Sequence, residues 1–403
     1  MAELKPHPAH SDWLSANDVS TLTPALVAAR LREAGPVIAA EANETEHQRF
    51  PTERAWSSIR KSGMFYLTVP REFGGVEVES LDAFIEPILA IAENCMSSAW
   101  CAFQSMQHQW MLSLFSAEFQ REVFGSLPYA TLSGSSFPMG KAVKVDGGYR
   151  VNGRYRWGSG VLYAQWVFAI AQLDDGSGMP KSGCFFMPVD DVTVLDTWYV
   201  DGMAGTGSHD FVVDDVFVPE HRALDAVMLY TGQQERANPL QRAPLPVIAP
   251  ALVPLSIIGA ARSAVAAYQT RLTAEGIALS ATGRRGDHVA LAKADTAVRI
   301  AEIVIRSEIA QIQDYLSAAK PIPEDVRAVM RAQSTYAVDL CKTAVRAIGD
   351  LSGSGVHYVG NAMSRAIRDI AMLSSHTVID LPHAMDAHGR QMLGMPIEYF
   401  GRS

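Results

Sequence analysis

Apolar residues recur every three or four positions from about Leu22 to Phe124, as in Leu22, Ala25, Leu26 and Ala29 and again in Phe84, Ile85, Ile88 and Leu89. That spacing predicts helices with one buried face. Val69-Pro-Arg-Glu-Phe-Gly-Gly75 interrupts them with a turn. Between Tyr129 and Pro219 the pattern shortens to runs of Val, Tyr, Trp and Phe separated by turn residues. Strands are expected at Ala142 to Val145, Tyr149 to Val151, Tyr155 to Trp157, Trp166 to Leu173, Cys184 to Val189, Thr193 to Trp198 and Asp210 to Val218. Asn152-Gly153 reads as a hairpin turn between two of them. The helical period returns from Ala249 to Ile348 and from Asn361 to Leu393, long enough for a bundle. The fold class is therefore mainly α with a central β domain: helices over 1–127, strands over 128–232 and a helical bundle over 233–403. The proline-rich stretch Gln233 to Pro250 reads as a linker or lid.

Composition narrows the partners. The 403 residues are 48% hydrophobic, enough for a large core, and 34 basic against 43 acidic residues leave a charge of -9. That balance argues against a nucleic-acid surface. Cys95, Cys101, Cys184 and Cys341 are scattered, with no spacing suited to zinc or to a disulfide framework. The segment from Met1 to Trp13 has no apolar leader, and the apolar run from Pro246 to Ala261 is short and broken by prolines, so no membrane span is expected and a cytoplasmic location is. No Gly-x-Gly-x-x-Gly fingerprint for a nicotinamide cofactor follows a predicted strand.

Four motifs then appear in order: Val69-Pro-Arg-Glu-Phe-Gly-Gly75, Gly148-Tyr-Arg-Val-Asn-Gly153, Gly202-Met-Ala-Gly-Thr206 leading to Val218-Pro219, and Arg365-Ala-Ile-Arg-Asp369. Each is weak alone, but together they resemble the acyl-CoA dehydrogenase superfamily. The resemblance implies an N-terminal helical domain, a β-barrel or sandwich domain and a C-terminal four-helix bundle, with a flavin in the groove between the last two. Dehydrogenases of that superfamily carry a glutamate base in a Tyr-Glu-Gly turn beyond the Arg-Asp pair. Here Arg368-Asp-Ile-Ala-Met-Leu-Ser-Ser-His-Thr-Val-Ile-Asp380 has no such turn, and His376 stands near the base's place.

Gly153-Arg-Tyr-Arg-Trp-Gly-Ser-Gly160, followed by Ala164-Gln-Trp-Val167, is similar to a second branch of the superfamily, the oxygenase components of two-component flavin-dependent monooxygenases. The resemblance implies reduced FMN or FAD supplied by a separate NAD(P)H-dependent flavin reductase, O2, a C4a-hydroperoxyflavin and an aromatic or heteroaromatic small-molecule substrate. N- or S-oxygenation and acyl-CoA dehydrogenation are the rival readings. A homotetramer is implied as well. His376 is expected to stabilise the peroxide, since an imidazole titrates near neutrality. Ser159 is expected beside the flavin N5, because a hydroxyl can donate or accept. His108, in Ser105-Met-Gln-His-Gln-Trp110, falls where the branch holds the substrate's phenol oxygen. Ser133 and Ser135, in Thr131-Leu-Ser-Gly-Ser-Ser136, with Trp157, Trp198 and Thr206, are the remaining expected flavin contacts. The dehydrogenases' Arg-x-x-Phe-Gly contact to the pyrophosphate is not recognisable around Arg271 to Arg285, which leaves FMN and FAD both open.

Overall fold

The computed structural model describes residues 2–7, 12–177, 179, 181–274 and 285–397. An N-terminal group of helices comprises α1 (Ala16–Ser20), α2 (Pro24–Gln48), α3 (Glu53–Ser62), α4 (Ile85–Ala92), α5 (Met96–Leu112) and α6 (Ala117–Phe124). Side-chain caps start several of them: Thr23, Thr52 and Ser116 each accept the backbone N–H of the third helical residue. The turn at Val69 to Gly75 is where the sequence places it. Gly74 adopts φ +83°, and a Cβ on Gly75 would lie 2.1 Å from the Val69 carbonyl oxygen, so no larger residue fits there.

The strands are β1 (Glu3–Leu4), β2 (Leu132–Val145), β3 (Gly148–Gly158), β4 (Trp166–Asp174), β5 (Lys181–Pro188), β6 (Thr193–Leu195), β7 (His209–Pro219) and β8 (Ala223–Asp225). They form one eight-stranded sheet in the order β1-β6-β7-β3-β2-β4-β5-β8, antiparallel except for the β2–β4 pair. The sheet encloses a core of its own, including Val151, Tyr155, Val167, Ala169, Phe185 and Phe211. Trp166, Phe168 and Ile170, on the other face of β4, join the main helical core. β4 is therefore buried on both sides, which explains its nearly unbroken apolar run.

Asn152-Gly153 is not a turn. The chain reverses at Asp146-Gly147, and β3 runs straight through Asn152. Asn152 Oδ1 instead accepts the Asp215 N–H at 2.7 Å, at a register shift between β3 and β7. A Cβ on Gly153 would sit 3.0 Å from Gly140 Cα, so glycine serves close strand approach here.

After α7 (Val227–Thr231) come the long helices α8 (Leu245–Ala274), α9 (Arg285–Ser317) and α10 (Glu324–Asp350), then α11 (Ala362–Leu373) and α12 (Leu381–Met392). The Gln233 to Pro250 stretch is not a loose linker. Leu240 is buried, its carbonyl accepts Trp110 Nε1 at 3.2 Å, and α8 begins at Leu245 with Pro250 and Pro254 inside it. α8 is long and apolar enough to cross a membrane, but 78% of its most apolar window is buried in the protein, as suits a core helix. α5 lies between the sheet and α8, and every one of its residues except Gln104 is buried. Residues 275–284, within the Arg271 to Arg285 stretch where no pyrophosphate motif is recognisable, lie outside the described residues.

Candidate functional site

Three elements meet around Ser159. β3 ends in the register break between Tyr155 and Gly158, and β2 breaks register between Ser135 and Gly140. Such bulges re-aim side chains. Here they lift Trp157 and Phe137 out of the sheet as a stacked pair, ring centroids 5.9 Å apart and planes 9° apart. Both are half exposed, 51% and 55%, and Trp157 holds φ +64°, a left-handed conformation that a bulky residue adopts only at a cost of about 1–2 kcal/mol. Ser135 fixes the first bulge: its Oγ donates to the Phe137 carbonyl at 3.0 Å and accepts the Phe137 N–H at 3.1 Å.

Beneath this shelf lies a line of buried hydroxyls. Ser133 Oγ donates to the Ser159 carbonyl at 2.9 Å, tying β2 to β3 where their backbone ladder has ended. Ser159 Oγ accepts Trp100 Nε1–H at 2.9 Å and shares a hydrogen bond of 2.7 Å with Ser208 Oγ. Ser208 Oγ in turn shares one of 2.7 Å with Thr206 Oγ1, and Thr206 donates to the Met203 carbonyl at 2.8 Å. Trp198 Nε1 reaches the same carbonyl at 3.2 Å. Trp198 and Thr206 therefore stand behind Ser159, within the 198–208 turn, rather than on the exposed shelf.

The Arg-Asp pair anchors that turn. Asp369, buried on α11, accepts the Met203 N–H at 2.5 Å, and Arg368 binds the Asp201 carbonyl and Glu46. Burial pushes the Asp369 carboxyl up to about 6. Gly202 is packed so closely that a Cβ would lie 2.3 Å from the Arg368 carbonyl oxygen.

His376 follows α11 as the cap of a short helical turn, with Nδ1 accepting the Val378 N–H at 3.3 Å, and its ring meets Trp100 edge-on at 5.5 Å. Burial lowers its pKa to about 4. The near-neutral titration expected from an unperturbed imidazole is thus absent: at pH 7 the ring is neutral, with Nε2–H left to donate. His108 lies two turns along α5 from Trp100, edge-on to Phe168 of β4 at 4.8 Å. Burial lowers it to about 4 as well, partly offset by a backbone hydrogen bond to Leu132. Its Nδ1 has no partner. The neutral ring carries one N–H and one lone pair, and Nδ1 can accept when the proton sits on Nε2. On the neighbouring side of α5, Met106, Gln107 and Trp110 line a small cavity with Leu240, Ile248 and Leu252.

Trp100 and Ser208 were missed from the sequence. The four-residue spacing of Trp100, Gln104 and His108 on a helix was the available signal for the first. Nothing marked Ser208 apart from its place beside Thr206. Among the described residues no group of His, Cys, Asp and Glu is arranged to hold a metal.

An isoalloxazine ring needs a flat apolar face to lie on and hydroxyl or amide partners along its polar edge. The Phe137–Trp157 shelf and the Ser159 hydroxyl, with Ser133 beside it, suit these two requirements, so the residues present fit a flavin. Residues 252–381 match the acyl-CoA dehydrogenase C-terminal domain family. The chain is 35% identical over 377 residues to a pigment production hydroxylase of Rhodococcus sp., covering 90% of this chain and 95% of that one. It is 30% identical to the oxygenase component of an FADH2-dependent resorcinol hydroxylase of Rhizobium sp., covering 88% and 90%. The crystal structure of the HsaA monooxygenase from Mycobacterium tuberculosis superposes with a TM-score of 0.87 at 28% identity, covering 94% of this chain and all of that one. This chain belongs to the flavin-dependent monooxygenase oxygenase components built on the acyl-CoA dehydrogenase fold.

Proposed function

We propose that the chain hydroxylates the ring of a phenol, using O2 and reduced FAD or FMN delivered by a separate NAD(P)H-dependent reductase. The observation that carries the phenol is His108 Nδ1, a buried acceptor with nothing to accept. Leaving such an atom unpaired costs about 1–3 kcal/mol, so a substrate that brings an O–H to it is favoured. A hydrogen bond from that O–H to the imidazole raises electron density on the ring, the direction an electrophilic oxygen transfer needs. The flavin supplies the activated oxygen when bound. Around it, Ser133 and Ser159 hold the polar edge, Phe137 and Trp157 provide the flat face, and His376 Nε2–H donates toward the oxygen that becomes negatively charged. Resorcinol, named for one relative, is a phenol of this kind. A homotetramer in the cytoplasm is the working assembly we propose from the family resemblance.

The test is a screen of phenols, indoles and sulfur heterocycles with a generic flavin reductase under 18O2, scored by mass spectrometry. One 18O atom should appear in a phenol's ring. Label in nitrogen or sulfur compounds alone, or anaerobic bleaching of the flavin by an acyl-CoA, would overturn the reading.

A further inference from the structure

We infer that Ser208 is a positioning residue that sets which redox form of the flavin this site holds, by fixing the direction in which Ser159 can hydrogen-bond. The inference rests on the reading above that Ser159 meets the flavin at N5.

The argument is a proton count. Each hydroxyl has one proton to give and two lone pairs to offer. Thr206 gives its proton to the Met203 carbonyl, 2.8 Å away, since two oxygens approach so closely only across a hydrogen; that carbonyl also takes the Thr206 N–H at 3.1 Å and Trp198 Nε1–H at 3.2 Å. It has none left for Ser208, so in the 2.7 Å bond between them Ser208 is the donor. Ser208 is then spent, and in its own 2.7 Å bond with Ser159 the donor is Ser159. Trp100 Nε1–H, which can only donate, fills one lone pair of Ser159 Oγ at 2.9 Å. What remains on Ser159 is a single lone pair. The relay is dry: Ser208 and Thr206 are buried, Thr206 fully, so no water enters to reverse it. The end of the relay is also held in place, because Asp369 clamps the Met203 N–H and Trp198 shares its carbonyl.

A reduced flavin carries hydrogen on N5, whereas an oxidised flavin presents a lone pair there. A Ser159 restricted to accepting matches the first and opposes the second. Ser208 thereby favours capture of reduced flavin and release of the oxidised product, without touching the ring itself. An oxygenase that obtains reduced flavin by diffusion needs that preference, since otherwise oxidised flavin would occupy the site unproductively.

The relay is tested without turnover, by anaerobic titration of the full-length protein with reduced and with oxidised FMN and FAD. The wild type should bind the reduced forms more tightly. In Ser208→Ala the Ser159 proton is released to turn toward N5, so one hydrogen bond to reduced flavin weakens while one to oxidised flavin appears. The ratio of the two dissociation constants should fall about tenfold, equivalent to a drop of about 30 mV in the bound flavin's potential. Ser208→Thr keeps the hydroxyl and should keep the ratio. If Ser208→Ala does not fold, Thr206→Val breaks the same relay one step earlier and should lower the ratio likewise. Equal affinities in the wild type, or relay variants that change both affinities by the same factor, would overturn the inference. Ser159→Ala separates the two layers of argument. If it lowers the ratio while the relay variants do not, only the relay fails. If it leaves the ratio unchanged, the placement of Ser159 at N5 fails with it.

Discussion

Replacing His108 with leucine isolates the chemistry proposed for the substrate hydroxyl. In the wild type, a phenol satisfies Nδ1, whereas the same ring with hydrogen in place of the hydroxyl leaves that acceptor buried and unpaired. The penalty for an unpaired buried acceptor is about 1–3 kcal/mol, so the phenol should bind about 5- to 150-fold more tightly than its deoxy analogue. Leucine removes the acceptor while keeping an apolar contact to Phe168, and discrimination should collapse to about threefold or less. Both ligands are titrated by equilibrium dialysis into the anaerobic complex with reduced flavin, so that affinity rather than turnover is read. Because burial lowers His108 to about 4, the ring is neutral above that pH and protonated only below it. Discrimination should therefore stay flat from pH 5.5 to 8. A His108→Leu variant that still discriminates, or a wild-type midpoint near pH 6.5, would refute the reasoning.

His376→Ala should still bind reduced flavin but release hydrogen peroxide at the expense of product, and wild-type coupling should not titrate between pH 6 and 8, since His376 is lowered to about 4; full coupling in the variant refutes the role. Asp369→Ala removes the acceptor of the Met203 N–H and should cost about 2–3 kcal/mol in urea unfolding together with flavin affinity; loss of stability with unchanged flavin binding would show that the clamp does not serve the site. Trp157→Gly relieves a left-handed backbone, so the melting temperature should hold or rise while flavin affinity falls about tenfold, and a fall in both would make Trp157 a packing residue. Glu308 is buried on α9 and burial raises its carboxyl to about 9, so the unfolded chain ionises first and stability is lost as pH climbs from about 4.5 toward 9; Glu308→Gln should gain about 3 kcal/mol at pH 7 and little at pH 4.5, and an equal gain at both would contradict this.

The elements were legible where a single period ran long enough. The helices and β4 carry their burial in their spacing, and the Val69 to Gly75 turn carries a proline and a glycine with no alternative use. Asn152-Gly153 misleads because the same dipeptide answers two needs, a tight turn or a close approach between strands, and only the position of Gly140 decides which. Gln233 to Pro250 misleads because Pro239 opens a short helical turn, Pro244 and Pro246 fall at the start of α8, where a missing N–H costs little, and only Pro250, half-buried, sits inside the helix. At the site, His376, Ser159 and Ser133 were singled out by the family resemblance of their motifs. Their partners Trp100 and Ser208 come from distant segments, 59 and 49 residues from Ser159, and contact at that range leaves no periodic trace.

What the site lacks is as informative as what it holds. Abstracting an α-proton from a thioester needs a base, and the two groups nearest the expected place are both unsuited. Asp369 spends its carboxylate on the Met203 N–H inside the protein. His376, lowered to about 4 and so neutral at pH 7, has given its Nδ1 lone pair to Val378 and keeps only an N–H on Nε2, which can donate but not accept a proton. The remaining polar groups around Ser159, namely Ser133, Ser208, Thr206 and the Trp100 N–H, bear no charge at neutral pH. Such a constellation can orient, donate and accept hydrogen bonds but cannot pull a proton from carbon. A reaction suited to it is one whose driving force arrives with the cofactor and whose protein contribution is to decide which hydrogen bonds are made, as oxygen transfer from a reduced flavin requires.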